Sequence, residues 1–240
     1  MSINHADHEK ETFSLPARDS FFSPIEQVTL PLLYNKETIT NNRAYRSDAA
    51  LKKTTVVQGA FMDELQALWI PSTNYFPDRD GHRPRWIIVH GTAGFTSAEE
   101  VGYYFQQADV STHYTIGRDG VIVQSVREHH GAWGNGGVTE GHDPWWSRSL
   151  NPNNVTISIE HVKPHRDNSD ELTEIQKIVS FQLIQRICER HQIPKRKADT
   201  SGGITGHSSM DPVYRSFCPG PYPWDDLFAF LRDPDMLTAR

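Results

Sequence analysis

Four residues of this 240-residue chain have types and settings that could do chemistry together: His90, His207, Cys218 and Glu160. His90 closes the run Arg85-Trp86-Ile87-Ile88-Val89, which has the aromatic and β-branched content of an internal strand, and Gly91 and Gly94 open a turn behind it. His207 follows the short apolar piece Ile204-Thr205-Gly206, and Cys218 sits in the loop Phe217-Cys218-Pro219-Gly220. Two imidazoles and a thiolate suit zinc: three protein ligands in a tetrahedral shell leave a fourth position for water, the mark of a catalytic rather than a structural site. Glu160 is a carboxylate at the end of the strand-like Val155-Thr156-Ile157-Ser158-Ile159, where it can exchange protons beside such a centre. Taken singly, each has a plain alternative. His207 also reads as a capped loop residue, Cys218 as a half-buried thiol and Glu160 as a strand-end salt bridge.

The elements that must position these residues follow from pattern. Ser97 and Glu100 have capping-box spacing, with Val101, Tyr104, Phe105 and Ala108 on one helical face behind them. His113 to Ile116 and Val121 to Val126 are two strand-like runs joined by Asp119-Gly120, a hairpin. Thr173 and Gln176 cap a long helix whose stripe is Ile175, Ile178, Val179, Gln182, Leu183, Ile187 and Cys188, ended by Pro194. Pro223 to Leu231 reads as a closing helix, and Phe61 to Ile70 as a short helix stopped by Pro71. Residues 127 to 154 carry no period, and so long a loop is expected to border a cleft. Strands alternating with helices, plus one hairpin, predict an α/β domain: a central mixed sheet flanked by helices over residues 59–240, preceded by an extended arm or linker at 1–58.

A net charge of −6 and a pI near 6.0 argue against a nucleic-acid partner. Hydrophobic residues make up 37%, and the shortfall lies mostly near the N-terminus, consistent with a loose arm. No stretch approaches 18 uninterrupted apolar residues, so membrane insertion is not expected. The first ten residues lack a signal-peptide pattern, which makes the expected location the cytoplasm, or release at lysis for a phage-encoded enzyme. Two cysteines are too few for a disulfide framework; a redox pair of Cys188 and Cys218 would require one disulfide, whereas Cys188 reads as a small buried hydrophobe.

Four blocks, in order, resemble those of the zinc-dependent N-acetylmuramoyl-L-alanine amidases, the family shared by phage lysins, bacterial wall-recycling enzymes and animal peptidoglycan recognition proteins. They are residues 88–94, residues 111–116 with Asp119-Gly120, residues 156–160, and residues 205–208 followed by 218–221, within a resemblance covering about 84–232. The resemblance implies one Zn2+ ion on His90, His207 and Cys218, with Glu160 as the acidic catalytic residue. It implies a peptidoglycan or muropeptide substrate, cut between N-acetylmuramic acid and L-alanine by what is expected to be a monomer. Many members carry a Lys two places before the third ligand; here that place is Ser216, with Arg215 beside it, so the oxyanion donor is one of these two. The segment 129–135 resembles the family's Trp-His-Ala-Gly stretch with its order altered. Trp133 and Asn135 are expected to line the cleft, with Thr92 and His113 as further substrate contacts, although for His113, on a strand beside the metal, supporting the ligands or packing is the default role. The rival reading is a peptidoglycan-binding recognition protein of the same fold without catalysis, against which the filled Cys218 and Glu160 places argue.

Overall fold

The chain was analysed as a computed structural model that describes residues 62–234; the arm expected at 1–58 lies outside them. The strands are β1 (Leu68–Trp69), β2 (Tyr75–Phe76), β3 (Trp86–Gly91), β4 (Tyr114–Ile116), β5 (Ile122–Gln124), β6 (Gly131–Ala132), β7 (Thr156–His161) and β8 (Gly203–Gly206). The helices are α1 (Ala98–Tyr104), α2 (Glu174–His191) and α3 (Trp224–Arg232). Six strands form one mixed sheet in the order β1-β5-β4-β7-β3-β8, parallel throughout except for the β4–β5 hairpin, while β2 and β6 pair as a separate antiparallel ribbon.

Alternation along β3 and β7 divides the sheet into two faces. Ile87, Val89, Ile157 and Ile159 join Phe181, Ile184, Ile187, Leu227 and Phe230 in the main core beneath α2 and α3. On the other face Trp86 and Ile88 pack with Trp146, Val155 and Met210, so the long loop after β5 covers that side; α1 closes its far end through Ala98, Val101 and Phe105. His90 and Glu160 are register partners, and so are Glu160 and Thr115. The register Val89–Gly206 puts His207 next in line. A single row across the carboxyl ends of parallel strands therefore reads Thr115, Glu160, His90, His207, in the place where open α/β sheets hold their ligands.

The predicted caps form: the Glu100 N–H donates to Ser97 Oγ and the Gln176 N–H to Thr173 Oγ, both at 3.1 Å. Two expectations are corrected. Leu68–Trp69 is an edge strand beside β5 rather than part of a helix. The Asp63 carboxylate is taken by Gln124 Nε2 (2.6 Å) and the Glu128 N–H (2.8 Å), and the open β5 edge supplies backbone partners that outweigh local helix propensity. The buried stripe of α2 is also rotated from the predicted one. Ile175 is 46% exposed and Gln182 is exposed, while Gln176 and Ser180 are buried. Gln176 Nε2 donates to the Ile116 and Val162 carbonyls (3.0 and 3.2 Å), so a polar side chain faces the sheet because strand-end carbonyls need it.

Candidate metal centre

His90, His207 and Cys218 converge, all three buried. His90 comes from the end of β3, His207 from the turn after β8, and Cys218 from the loop before α3. His90 Nδ1 lies 3.1 Å from His207 Nδ1 and 3.9 Å from Cys218 Sγ. Zinc–ligand bonds of about 2.0–2.1 Å to nitrogen and 2.3 Å to sulfur, at tetrahedral angles, require separations of about 3.3 and 3.5 Å, so the donor set fits such an ion with small adjustment. His207 Nε2–H donates to the Asn135 carbonyl (2.9 Å), which fixes the tautomer and leaves Nδ1 as a bare donor. Behind the sheet, His161 Nδ1–H donates to the His90 carbonyl (3.1 Å), and its Nε2 accepts from Ser180 Oγ.

The electrostatics favour neutral donors until a cation arrives. Burial lowers His90 well below the ordinary imidazole value, with His207 adding to the effect, and burial brings His207 to about 4. Burial, then the Glu160 carboxylate, pushes the Cys218 thiol up to about 12. Glu160 is half-buried, its Oε2 has no hydrogen-bond partner, and burial raises it to about 8 against the opposing charge of Arg215. The Arg215 charge also acts on His90, His207 and Cys218, although its side chain is exposed. A groove of about 740 Å3 runs along the outer edge of β8, lined by Thr205, Ser208, Ser216, Trp224 and Phe228 among others; it meets the cluster at Cys218.

Residues 80–221 match the family model described as N-acetylmuramoyl-L-alanine amidase, more than half of the chain. The chain belongs to this amidase family. N-acetylmuramoyl-L-alanine amidase A of Achromobacter lyticus is 25% identical over 184 residues, covering 71% of this amidase and 96% of the relative. Among solved structures, a selenomethionine AmpD derivative is similar with a TM-score of 0.52 at 20% identity, over 70% of this chain and 95% of that one. A mutant of PlyL reaches 0.50 at 18%, over 70% and 99%. At these identities the structures attest the fold.

The other predicted residues of the amidase divide. Trp133 is half-buried against Phe76 (5.5 Å between ring centroids), and its indole N–H has no partner. Thr92 uses its hydroxyl on the Lys163 backbone, accepting from the N–H at 2.9 Å. His113 and Asn135 are corrected: both are fully buried, so neither side chain lines an open cleft. His113 Nδ1 accepts the Ser158 N–H (3.0 Å), its Nε2 lies 3.0 Å from the His130 carbonyl, and burial followed by Arg79 lowers it to about 3. Asn135 Nδ2 donates to Thr156 Oγ1 (2.7 Å) and its Oδ1 accepts from Ser158 Oγ (3.3 Å), while its backbone carbonyl is the one that accepts from His207. Cys188 and Cys218 are both free thiols, so the redox pair does not form.

Sequence reasoning missed Lys163 and Asn168. Both are fully buried. Asn168 holds a left-handed φ of 58°, and its amide spans the Gly91 carbonyl (3.1 Å) and the Ala93 N–H (2.8 Å) just beyond His90. Lys163 Nζ donates to the Pro221 carbonyl (2.7 Å) and the Asn168 carbonyl (3.3 Å). Together they lash the His90 strand end to the Cys218 loop. At Gly91 any Cβ would stand 2.7 Å from Asn168 Oδ1 and the Pro219 carbonyl, so only glycine fits the knot.

Proposed function

We propose that this chain hydrolyses the amide between the lactyl carbonyl of N-acetylmuramic acid and the L-alanine of the stem peptide, using one zinc ion on His90, His207 and Cys218. The observation that carries the reading is the convergence of those three donors, two of them in the same row across the sheet as Glu160, whose Oε2 has no hydrogen-bond partner. Those three residues would hold the ion, which when bound would supply a water with its pKa lowered from 15.7 toward about 7 and polarise the scissile carbonyl. Glu160, raised to about 8, takes the proton of the attacking water and delivers it to the departing alanine amine. Its burial keeps the proton affinity close to what both transfers need. Arg215, whose charge acts on Glu160 and all three ligands, would favour negative charge on the carbonyl oxygen. Ser216 lines the adjoining groove, where a hydroxyl meets polymer or peptide.

Support comes from the family match, the filled ligand places and the donor chemistry. The test is metal analysis of the purified chain together with release of free stem peptide from purified wall. Stoichiometric zinc with peptide release is expected; bound zinc without release would overturn the assigned bond. Digestion of intact sacculi against soluble muropeptides then separates a wall-degrading enzyme from a recycling one.

A further inference from the structure

Away from this centre, a second group of potential ligands converges where the turn 77–81 meets the start of the long loop. One donor atom each from Asp78, His129 and His130 lies within 4.8 Å of the others, and Asp78 and His129 are exposed to solvent. The amidase mechanism uses none of them.

All three are set beside anchored residues. Asp78, Arg79 and Asp80 each take a left-handed backbone, with φ of 48°, 53° and 50°, a conformation disfavoured for residues other than glycine. That turn drives Arg79 into the interior, where Nε donates to the Glu128 carbonyl (2.8 Å) and Nη1 to the Thr156 carbonyl (2.8 Å), which fixes Asp78 next to it. His129 follows Glu128, whose buried carboxylate receives Tyr114 Oη (2.7 Å), Arg190 Nε (3.0 Å) and His191 Nε2 (2.7 Å). His130 stacks on Tyr75 at 4.3 Å between ring centroids and 10° between planes, and its ring lies 3.8 Å from that of His129. Ligands held on rigid supports lose little freedom on binding.

We propose that Asp78, His129 and His130 form a second, solvent-facing site for a divalent transition ion such as zinc, distinct from the buried centre. Two imidazoles and one carboxylate suit borderline cations and leave positions open to water. Burial and then His129 hold His130 below its ordinary imidazole value. Coordination through His130 Nδ1 replaces one long contact, the Asp78 N–H on that nitrogen at 3.2 Å. An ion here ties the 77–81 turn to the loop that carries Trp133. With no thiolate and open water access, it binds more weakly than the first ion.

The test is zinc titration of the full chain, read by equilibrium dialysis and by thermal unfolding in excess zinc. The parent is expected to bind one tight and one weaker ion, the second adding thermal stability. Replacing both histidines (His129→Ala with His130→Ala) weakens only the second ion, by roughly tenfold or more. Asp78→Asn, which tolerates the left-handed backbone, does the same without disturbing the turn. Cys218→Ser loses the tight ion and keeps the weaker one, so failure of the buried centre and failure of this site are distinguishable. A parent that binds one ion only, or weak binding that survives both the histidine and Asp78 variants, overturns the proposal.

Discussion

Glu160→Gln separates burial from catalysis and allows both to be worked out. The Glu160 carboxyl is raised by burial from 4.5 to about 8. A group with a raised folded-state pKa holds its proton more tightly when folded, so its stabilising contribution is complete below 4.5 and is lost as pH rises through about 8. For a shift of this size the ceiling is about 5 kcal/mol; because Glu160 is only half-buried, water recovers part of it and about 2–4 kcal/mol is expected. Gln is neutral at every pH and nearly isosteric. In metal-free protein, urea unfolding followed by tryptophan fluorescence should show the variant gaining about 2–4 kcal/mol on the parent between pH 5 and pH 9. Other titrations are common to both chains and cancel. With zinc bound, the ion favours the carboxylate and the gain should shrink, while turnover falls by about 10²–10⁴ through loss of the proton carrier. A difference between variant and parent that stays flat from pH 5 to pH 9 without metal would refute the burial argument, and unchanged turnover would remove Glu160 from the chemistry.

Asn168→Gly keeps the left-handed backbone but deletes the amide that bridges Gly91 and Ala93, so it should cost about 1–3 kcal/mol of metal-free stability and weaken zinc retention in chelator competition; unchanged retention would dissociate the knot from the ligands. His113 sits near pKa 3, and a depressed imidazole stabilises fully above 6.5 and progressively less as pH falls toward 3. Unfolding titrations of His113→Gln should therefore lack about 1.4 kcal/mol per pH unit of the parent's acid-side loss, and an acid limb of equal slope would contradict the assignment. Arg79→Met strips the donors from the Glu128 and Thr156 carbonyls, with an expected loss of about 3 kcal/mol and faster limited proteolysis within 127–154; parental resistance to protease would show that the loop is anchored elsewhere.

Much of the sheet could be read in the chain because its central strands are rich in β-branched and aromatic residues, with Trp86 to Val89 and Val155 to Ile159 each followed by a chemically unusual residue. What the pattern could not carry is register: nothing in either run says that His90 and Glu160 stand opposite one another. The rotated stripe of α2 has the same origin, because Gln176 and Ser180 look like solvent-facing residues until strand-end carbonyls and His161 are seen to need them. The family-like segment 129–135 predicts a cleft setting for Asn135, and the block beside the metal motif one for His113, yet His113 is met by the Ser158 N–H and Asn135 by the Thr156 and Ser158 hydroxyls, groups the chain brings in from far along the sequence. Lys163 and Asn168 fall in a charged stretch that reads as an ordinary loop, and a left-handed Asn with a buried amide leaves no periodic trace.

The knot formed by Lys163 and Asn168 also sets an order in time. It joins residues beyond His90, a loop halfway along and the turn after Cys218, and His90 and Cys218 are 128 positions apart. At about 5–20 residues per second, ribosomal synthesis would deliver the cysteine some 6–26 s after the first histidine. Through that interval the nascent chain carries at most two of the three converging donors, and the thiol follows both imidazoles. The three donors are complete only once Cys218 has been made, so a chain cut short before it would have the strand and the carboxylate but not the full donor set.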